Sequence, residues 1–293
     1  MTVGLPVFNG ENYLASALES LLDQTYTDFE VIVSDNASED GTEAIARRFA
    51  AQDPRVRYER NERNLGANPN YNRTFALARG DLFRWHAHDD VCGPKYLEQC
   101  VSTLDSDPTV SLVHTNTGYI DRRGEPLIEL ERGYLDPDGF IEMLSMDDHT
   151  TGMLADPAPE VRLDAVVNHM TVFFDIFGLA RVRDVRRTLL LPNYYGADKV
   201  FLAEMALQGR IVRLEDESFF RRCHASASTR ATSLKSLAGW SDAGKSFDYY
   251  PALMMKGYLG AVRAADLSAA EQRKCLLAVA KKLKSPYKLA RGR

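Results

Sequence analysis

The sequence has few of the features that mark secreted, membrane-spanning or metal-cluster proteins. Its 293 residues include only four cysteines, and these are scattered without a CxxC pair, which argues against a disulfide framework or a zinc site. It contains no apolar run of about 18 residues, so no transmembrane helix is predicted. No signal peptide is recognisable at the N-terminus. We therefore expect a cytoplasmic protein with reduced thiols.

The sequence also lacks an excess of positive charge. Its formal net charge is −5, whereas nucleic-acid-binding proteins usually show a basic footprint, so no nucleic-acid partner is expected. No G-x-G-x-x-G motif follows a predicted strand, which disfavours a dehydrogenase. Internal repeats and low-complexity segments are absent as well.

Strand and helix patterns alternate from residue 2 to about residue 115. This alternation predicts βαβ units and a mostly parallel sheet flanked by helices, which is an α/β fold. Apolar runs predict strands at 2–8, 29–35, 56–59, 81–88 and 110–114, with helices between them.

The alternation stops beyond residue 115, and the remaining pattern is less regular. The absence of periodicity over 147–160 predicts a mobile loop. The other predicted elements are a hairpin or loop at 120–127, helices at 181–190 and 198–207, a strand at 211–222 and a helical segment after residue 233.

Two adjacent carboxylates, Asp89 and Asp90, follow the apolar strand that opens at Asp81. Ligands of α/β sheets bind at the carboxyl ends of the strands. Hard cations that carry phosphates are held by one or two carboxylates together with the phosphates. We therefore hypothesise a divalent cation at Asp89, with Asp90 beside it, bridging a nucleotide diphosphate. The alternative is a turn that ends the strand and caps the helix starting near Pro94.

Four stretches, in order along the chain, carry a family resemblance: Pro6 to Glu11, Ser34 to Thr42, Asn64-Leu65-Gly66 before a helix containing Asn72, and Asp89-Asp90. Together they closely resemble the family 2 glycosyltransferases of GT-A fold, strongly over 2–100 and more weakly over 175–230. The resemblance implies an inverting enzyme that uses Mn²⁺ or Mg²⁺. Such an enzyme moves a sugar from a nucleotide-diphosphate sugar to a hydroxyl acceptor, in the synthesis of cell-surface polysaccharide, glycolipid or glycoconjugate.

The resemblance also implies a set of donor contacts. Phe8 would offer a stacking surface for the base, and Asp35 would accept the N–H of the base, which favours uracil or thymine. The alternatives are a carboxylate near a helix start for Asp35, a turn glycine for Gly66 and a surface residue for Asn72. The expected contacts are Pro6, Val7, Phe8, Glu11, Asp35, Asn64, Gly66, Asn72, His88, Asp90 and Arg222.

The chain departs from the family at the metal motif. The family usually carries Asp-x-Asp-Asp where this chain has Ala87-His88-Asp89-Asp90. Asp89 matches the residue that touches the metal, and His88 or water could replace the missing first carboxylate. The resemblance implies His224 as a second metal ligand and Arg222 or Arg230 as neutralising charges on the phosphates. The alternatives are packed histidines at 86 and 88, which alternate along a strand, and a structural His224.

The second half of the chain supplies the expected general base. Gly196-Ala197-Asp198-Lys199 opens a helix and resembles the acidic motif at the acceptor side of the family. Asp198 is therefore expected to deprotonate the attacking hydroxyl, and an N-cap role is a compatible alternative.

Two rival functions remain open. One is a nucleotide-sugar-binding protein with weak or lost turnover, for which Ala87 gives some grounds. The other is a nucleotidyltransferase that makes sugar nucleotides. It would need a glycine-rich, basic loop, whereas Asn9-Gly10-Glu11 is short and acidic.

We expect a glycosyltransferase domain over 1–230, with a nucleotide-sugar-binding half at 1–115 and an acceptor half at 116–230, and a helical extension over 231–293. After Glu271 the chain has no acidic residue, and Leu276 and Leu277 lie beside several lysines and arginines. A basic amphipathic helix can lie on an anionic membrane surface, which would place the protein peripherally on the inner face of the membrane. The alternative is a solvated helix whose leucines pack on the domain.

Overall fold

The structure is a computed structural model that describes residues 1–130, 133–135, 141–142, 150–224 and 250–283. In its first half, strands and helices alternate as the sequence predicts. These elements are β1 (Thr2–Val7), α1 (Leu14–Leu22), β2 (Glu30–Asp35), α2 (Thr42–Gln52), β3 (Val56–Arg60), α3 (Ala67–Ala76), β4 (Leu82–Trp85), β5 (Val91–Cys92), α4 (Tyr96–Ser106) and β6 (Val110–Ile120).

The second half contains shorter elements and the C-terminal helices. A π-helical turn at Ala165–His169 and a 3-10 turn at Phe174–Phe177 interrupt it. Its elements are β7 (Ile128–Leu130), β8 (Gly133–Leu135), β9 (Ile141–Glu142), α5 (Thr150–Leu154), α6 (Pro159–Asp164), β10 (Leu179–Arg181), α7 (Val182–Val185), α8 (Ala197–Gln208), β11 (Arg210–Arg222), α9 (Tyr250–Ala264) and α10 (Ala269–Leu283).

Eight strands form the main sheet, in the order β3-β2-β1-β4-β10-β6-β11-β5. Neighbours pair in parallel from β3 to β4 and again between β6 and β11. The strand β10 runs antiparallel to both of its neighbours, and β5 runs antiparallel to β11. The sheet is therefore mostly parallel, as predicted, and the carboxyl ends of β1, β2, β4, β6 and β11 face the same edge.

Two predictions for the second half are wrong. The segment 181–190, predicted as a helix, contributes the end of β10 and then only the short helix α7. Ala180 is inserted between Phe83 of β4 and Leu112 of β6, and this long-range pairing overrides local periodicity. The described part of the predicted loop 147–160 contains α5 and the start of α6, where Pro159 occupies the first turn.

The C-terminal helices share their core with α8. Tyr258 and Val262 of α9, together with Cys275 of α10, belong to the same buried apolar cluster as α8. The predicted capping box is confirmed, because Ser268 N–H donates to Glu271 Oε2 (2.8 Å) and Glu271 N–H donates back to Ser268 Oγ (3.3 Å). The predicted domain boundary at residue 230 lies outside the described residues and stays a prediction.

The helices that the structure describes are too short or too polar to span a bilayer. All four cysteines are buried and none of them forms a disulfide, in agreement with the expectation of ordinary thiols.

Candidate active site

The loops that follow β1 and β2 are tied to each other at the carboxyl edge of the sheet. The backbone N–H of Gly10 donates to Thr42 Oγ1 (2.8 Å), and that of Gly41 donates to Glu11 Oε2 (2.8 Å). The Glu11 carboxylate therefore lies against the N-terminus of α2, where a negative charge is favourable. This contact holds the two loops together. The expected donor contact of Glu11 stays a prediction.

The end of β1 combines a buried segment with an exposed ring. Pro6 and Val7 are buried within the strand, whereas Phe8, the next residue, is 42% exposed. An exposed aromatic ring beside two strand-end loops can stack against a base.

Asp35, at the end of β2, has no exposed surface. Its Oδ1 accepts the backbone N–H of Ser38 (2.8 Å), and its Oδ2 accepts the hydroxyl of Tyr58 (2.7 Å) and the guanidinium of Arg60 (2.5 Å). The expected hydrogen bond from a base N–H would require these partners to move. In this structure Asp35 connects the end of β2 to Tyr58 and Arg60 of β3.

A network of amide side chains supports the loop that carries Asn64 and Gly66. Asn36 Nδ2 donates to Asn64 Oδ1 (2.8 Å) and to the main-chain oxygen of Gly66 (3.1 Å). Asn61 Nδ2 donates to Asn36 Oδ1 and to Asn70 Oδ1, at 2.9 Å each. Gly66 has a φ of 85°, a conformation that glycine adopts without strain, so that the chain turns into α3 there.

The side chain of Asn72 is hydrogen-bonded within the protein. Its Nδ2 donates to the main-chain oxygen of Leu191 (2.9 Å), and its Oδ1 accepts the N–H of Leu191 (3.0 Å). Both polar atoms of the side chain are therefore used within the protein. The expected donor contact of Asn72 stays a prediction.

Asp89 and Asp90 lie in the loop after β4, and the end of β11 reaches them from the other side. His224 Nε2 is 3.0 Å from Asp89 Oδ2, although 135 positions separate the two residues. The backbone N–H of Arg222 donates to Asp90 Oδ1 (2.9 Å). The structure thus brings together the two residues that were expected as metal ligands.

Arg222 supports this loop from inside the protein. The residue is 4% exposed, and its Nε donates to the main-chain oxygen of Asp89 (2.9 Å). Its other nitrogens donate to the main-chain oxygen of Asp121 (3.1 Å) and to Ser16 Oγ (3.2 Å). Through these hydrogen bonds Arg222 supports the Asp89 loop. Its expected contact with phosphate stays a prediction. Arg230 lies outside the described residues.

The two neighbouring carboxyl groups have opposite electrostatic environments. Burial alone would raise the pKa of Asp89, but the imidazoles of His88 and His224 outweigh it and bring that pKa below its usual range. Burial and the charge of Asp89 raise the pKa of Asp90. Asp89 is therefore the anionic member of the pair at neutral pH.

The donor atoms at this place fit a divalent cation. One carboxylate oxygen and one imidazole nitrogen converge there, and both are accepted by Mn²⁺ and related metals. Among the described residues no group of three or more His, Cys, Asp or Glu side chains gathers around a common point. The remaining ligands would have to come from a diphosphate and water, which is the usual arrangement for phosphate-bound cations.

The two histidines before Asp89 occupy different environments. β4 ends at Trp85, so the predicted strand does not extend to His88. His86 is fully buried, with Nδ1 3.3 Å from Nη2 of Arg84, and its pKa is lowered by burial and by that guanidinium. His88 is half-buried beside Gly10, where an added Cβ would lie only 2.7 Å from the His88 ring. His86 thus belongs to the core, whereas His88 lies beside the loop that follows β1.

Asp198 is the second residue of α8 and is half-buried. The helix is entered through Gly196, which has a φ of 85°, and its first turn receives no side-chain cap. Asp198 Oδ1 accepts the N–H of Lys199 (2.9 Å). Burial raises the pKa of Asp198, and the ammonium of Lys199 only partly opposes this. A raised pKa at an accessible helix start suits a general base.

Tyr71 of α3 was not foreseen as a site residue, although the carboxyl groups of Asp89, Asp90 and Asp198 all influence its phenol. Burial raises the pKa of its phenol, and the charges of Asp89, Asp90 and Asp198 raise it further, so all three carboxylates lie within electrostatic range. Its ring lies 6.1 Å from that of Trp85. A tyrosine at helical spacing is indistinguishable from a core residue in the sequence.

The amide network did have a signal in the sequence. Asn61, Asn64, Asn68, Asn70 and Asn72 fall within twelve positions. Asparagine is a poor helix former, so three of them within α3 indicate side chains held by tertiary contacts.

Comparison with solved structures identifies the fold. The chain resembles residues 1–349 of Staphylococcus aureus TarS in complex with UDP-GlcNAc, with a TM-score of 0.66 at 18% identity over 97% of this chain and 72% of that one. It also resembles the mannosyltransferase PcManGT from Pyrobaculum calidifontis in complex with GDP-Man and Mn²⁺, with a TM-score of 0.56 at 19% identity over 99% and 79%. These similarities establish the GT-A fold.

Curated relatives match the first half of the chain. Chondroitin synthase of Escherichia coli is 32% identical over 124 residues, which are 42% of this chain and 18% of that protein. An uncharacterized glycosyltransferase of Methanocaldococcus jannaschii is 32% identical over 122 residues, 41% of this chain and 42% of that protein. This chain therefore spans less than half the length of these two relatives.

The family model described as glycosyl transferase family 2 matches residues 2–156. That range is more than half of the 293 residues. It contains the loops that follow β1, β2 and β4. The chain belongs to glycosyl transferase family 2.

Proposed function

We propose that this glycosyltransferase moves a sugar from a UDP- or dTDP-sugar to a hydroxyl acceptor with inversion at the anomeric carbon. The observation that carries the proposal is the convergence of Asp89 with His224 (3.0 Å apart) at the carboxyl edge of the sheet. We assign Asp198 to the acceptor side. The charges of both Asp198 and Asp89 raise the pKa of the Tyr71 phenol, so both carboxylates lie within electrostatic range of that ring. The complex of TarS with UDP-GlcNAc supports a uridine nucleotide as the donor.

The donor would lie across the ends of β1, β2 and β4. Its base would stack on the exposed ring of Phe8 beside Pro6 and Val7, and its diphosphate would face Asp89. The loop of Asn64 and Gly66 closes the same end of the sheet, and the Asn36 network holds it in shape. Asp35 would act indirectly, by holding Tyr58 and Arg60.

Asp89 and His224 would hold the divalent cation, with His88 close by. When bound, such a cation neutralises the charge that develops on the leaving phosphate. The complex of PcManGT with GDP-Man and Mn²⁺ supports this requirement. Arg222 keeps the Asp89 loop in place through three internal hydrogen bonds.

In the reaction, Asp198 would take the proton from the acceptor hydroxyl. The hydroxyl oxygen would form a bond to the anomeric carbon from the face opposite the diphosphate. The bond between the anomeric carbon and the phosphate oxygen breaks, and its electron pair leaves with the nucleoside diphosphate. Because bond formation and cleavage occur on opposite faces, the configuration inverts.

A thermal-shift screen tests the donor class. At equal ligand concentration, UDP-, dTDP- and GDP-sugars with Mn²⁺ should raise the melting temperature more the more tightly they bind, because binding stabilises the folded state with the logarithm of the affinity. We expect the largest shift with a UDP- or dTDP-sugar, and a smaller one after Phe8→Ala, which removes the stacking surface. Phe8 is exposed, so the variant should melt normally without ligand. A shift with GDP-sugars alone would contradict the proposed base preference.

A binding protein without turnover remains the second candidate, because Ala87 replaces the usual first carboxylate and is 9% exposed. Purified protein incubated with the preferred donor discriminates the two. An enzyme should release free nucleoside diphosphate slowly with water as the acceptor, whereas a pure binder should release none.

We also propose that α10 rests on an anionic membrane surface. Cys275, Ala278 and Val279 form its buried face, so Leu276 and Leu277, which are 38% and 63% exposed, are not needed for packing. Arg273 precedes Leu276 and Leu277 at the i, i+3 and i+4 spacing that places residues side by side on a helix. No acidic residue follows Glu271. Two lysines of α10 already form ion pairs within the protein, Lys274 with Glu160 and Lys281 with Asp164.

Liposome flotation tests the membrane proposal. The full chain should float with vesicles that contain phosphatidylglycerol and not with neutral vesicles, and high salt should weaken binding. Replacing Leu276 and Leu277 by serine should reduce binding about tenfold or more, because burying one leucine is worth about 1.5–3 kcal/mol. Ile128→Ser is the matched control, since Ile128 is 64% exposed elsewhere. Equal loss in both variants, or equal binding to neutral vesicles, would refute the proposal.

A further inference from the structure

The helix α3 contacts both halves of the site through asparagines at alternate positions. Asn70 faces the donor side, where its Nδ2 donates to the main-chain oxygen of Ser34 (2.8 Å) and its Oδ1 accepts the Ser34 hydroxyl (2.8 Å). Asn68 faces the acceptor side, where its Nδ2 donates to the main-chain oxygens of Pro192 (2.8 Å) and Tyr194 (3.1 Å). Asn72 adds its two bonds to Leu191 on the same side.

The segment that these asparagines hold leads directly into α8. Residues 189–196 form no helix or strand, and Leu190 takes a left-handed φ of 56°, which a branched apolar side chain rarely adopts. The chain reaches Asp198 two residues after Gly196. The segment that leads to the start of α8 is thus irregular and locally strained. The path of this segment depends on side chains that lie outside it.

A second contact fixes the same segment from α8 itself. The backbone N–H of Leu189 donates to Glu204 Oε2 (3.0 Å). Glu204 is buried, and burial raises its pKa to about 7. The segment is therefore held at its beginning by α8 and along its middle by α3. Because Asn70 of α3 is bonded to Ser34 at the end of β2, α3 connects the segment to the donor side.

We propose that Asn68 and Asn72 are positioning residues that place Asp198 relative to the donor by clamping residues 191–194 to α3. This inference rests on the proposed function, in which Asp198 is the general base. Asn70, which bonds to the donor side, and Asn68 and Asn72, which bond to the acceptor side, all lie in α3. The helix therefore acts as a rigid spacer between the two sides. A displacement of about 1 Å at a reacting group can cost about 10²-fold in rate.

The alternative role is plain stabilisation, and a matched control separates the two. Asn168 Nδ2 donates to the main-chain oxygen of Ala278 (2.9 Å) and to Asp164 Oδ1 (2.9 Å), which ties the π-helical turn to α10. Asn168→Ala removes the same kind of amide-to-carbonyl bond in a part of the protein that the proposed chemistry does not use.

The test measures release of free UDP from UDP-N-acetylglucosamine, with GDP from GDP-mannose and dTDP from dTDP-glucose in parallel, and water as the acceptor. Asn72→Ala and Asn68→Ala should each lower turnover about 10-fold to 10²-fold and leave the donor dissociation constant within about threefold. Asn168→Ala should leave turnover unchanged at a temperature where all variants are folded. Equal losses in all three variants would overturn the inference.

A double-mutant cycle distinguishes this inference from the proposed function. If Asn72 acts through Asp198, then Asn72→Ala should have no further effect in an Asp198→Asn background, whereas independent effects would multiply. Multiplying effects overturn the clamp and leave the base assignment intact. Unchanged release in Asp198→Asn alone overturns the base assignment, and the clamp with it.

Amide hydrogen exchange gives a readout that needs no turnover. Exchange across residues 189–196 should accelerate at least tenfold in Asn72→Ala and Asn68→Ala, while β1 and β2 keep their protection. Asn168→Ala should leave that segment unchanged. Unaltered exchange of 189–196 in the two α3 variants would overturn the inference regardless of which donor the protein uses.

Discussion

Asp198→Asn should lower turnover by about 10²–10⁴-fold, the usual cost of removing a general base. The amide has nearly the same shape as the carboxylate and can still accept the N–H of Lys199, but it cannot take the proton of an acceptor hydroxyl. Nucleotide affinity should remain within a few fold, because Asp198 is proposed to contact the acceptor hydroxyl and not the nucleotide. Steady-state kinetics together with isothermal titration of the nucleotide measures the two quantities separately.

A matched control for Asp198→Asn is Asp184→Asn. Burial raises the pKa of Asp184 in α7, as it does that of Asp198, so the substitution imposes a similar change in a part of the chain without a proposed catalytic role. We expect little change in its turnover. If Asp198→Asn instead lost affinity and turnover to the same extent, Asp198 would be a structural residue.

The pH dependence of the wild-type enzyme follows from the same group. Because burial raises the pKa of Asp198, the carboxyl remains protonated to a higher pH than an ordinary aspartate, whose pKa is about 3.9. A protonated carboxyl cannot act as a base, so kcat/KM should fall as the pH is lowered. The apparent pKa of this fall should lie above that of an ordinary aspartate. Asp198→Asn should remove this limb from the residual activity.

Removal of divalent metal should abolish most of the activity. We expect a loss on the order of 10²–10³-fold after treatment with EDTA, the range for losing one preorganised charge at the leaving group, and recovery with Mn²⁺ or Mg²⁺. Asp89→Asn should reproduce the loss and respond weakly to added metal, because it removes the anionic ligand of the pair and leaves only His224. Full activity without metal would refute the assignment of Asp89.

Direct metal binding separates this effect from a change in folding. Paramagnetic resonance of Mn²⁺ with UDP present should show tight binding to the wild type and weak binding to Asp89→Asn. Asp216→Asn is the control, since Asp216 lies on the exposed part of β11 and accepts a bond from Gln99 (2.6 Å). Equal binding by all three proteins would show that the metal lies elsewhere.

Local patterns along the chain determined the architecture and the placement of the motifs. The alternation of apolar strands with amphipathic helices is a property of neighbouring residues, so the βαβ order to β6 follows from it directly. The same holds for the position of Asp89 after a strand and of Asp198 at the start of a helix. Each depends only on spacing within about a dozen residues.

The tertiary structure decided which side chains remain available for a ligand. Asn72, Arg222 and Asp35 match family positions in the sequence, yet hydrogen bonds to distant backbone and side chains occupy their polar atoms. The meeting of Asp89 with His224 across 135 positions and the insertion of β10 between β4 and β6 have the same origin. Such partners are set by packing between elements, and no local periodicity records which distant group will satisfy a buried amide, guanidinium or carboxylate.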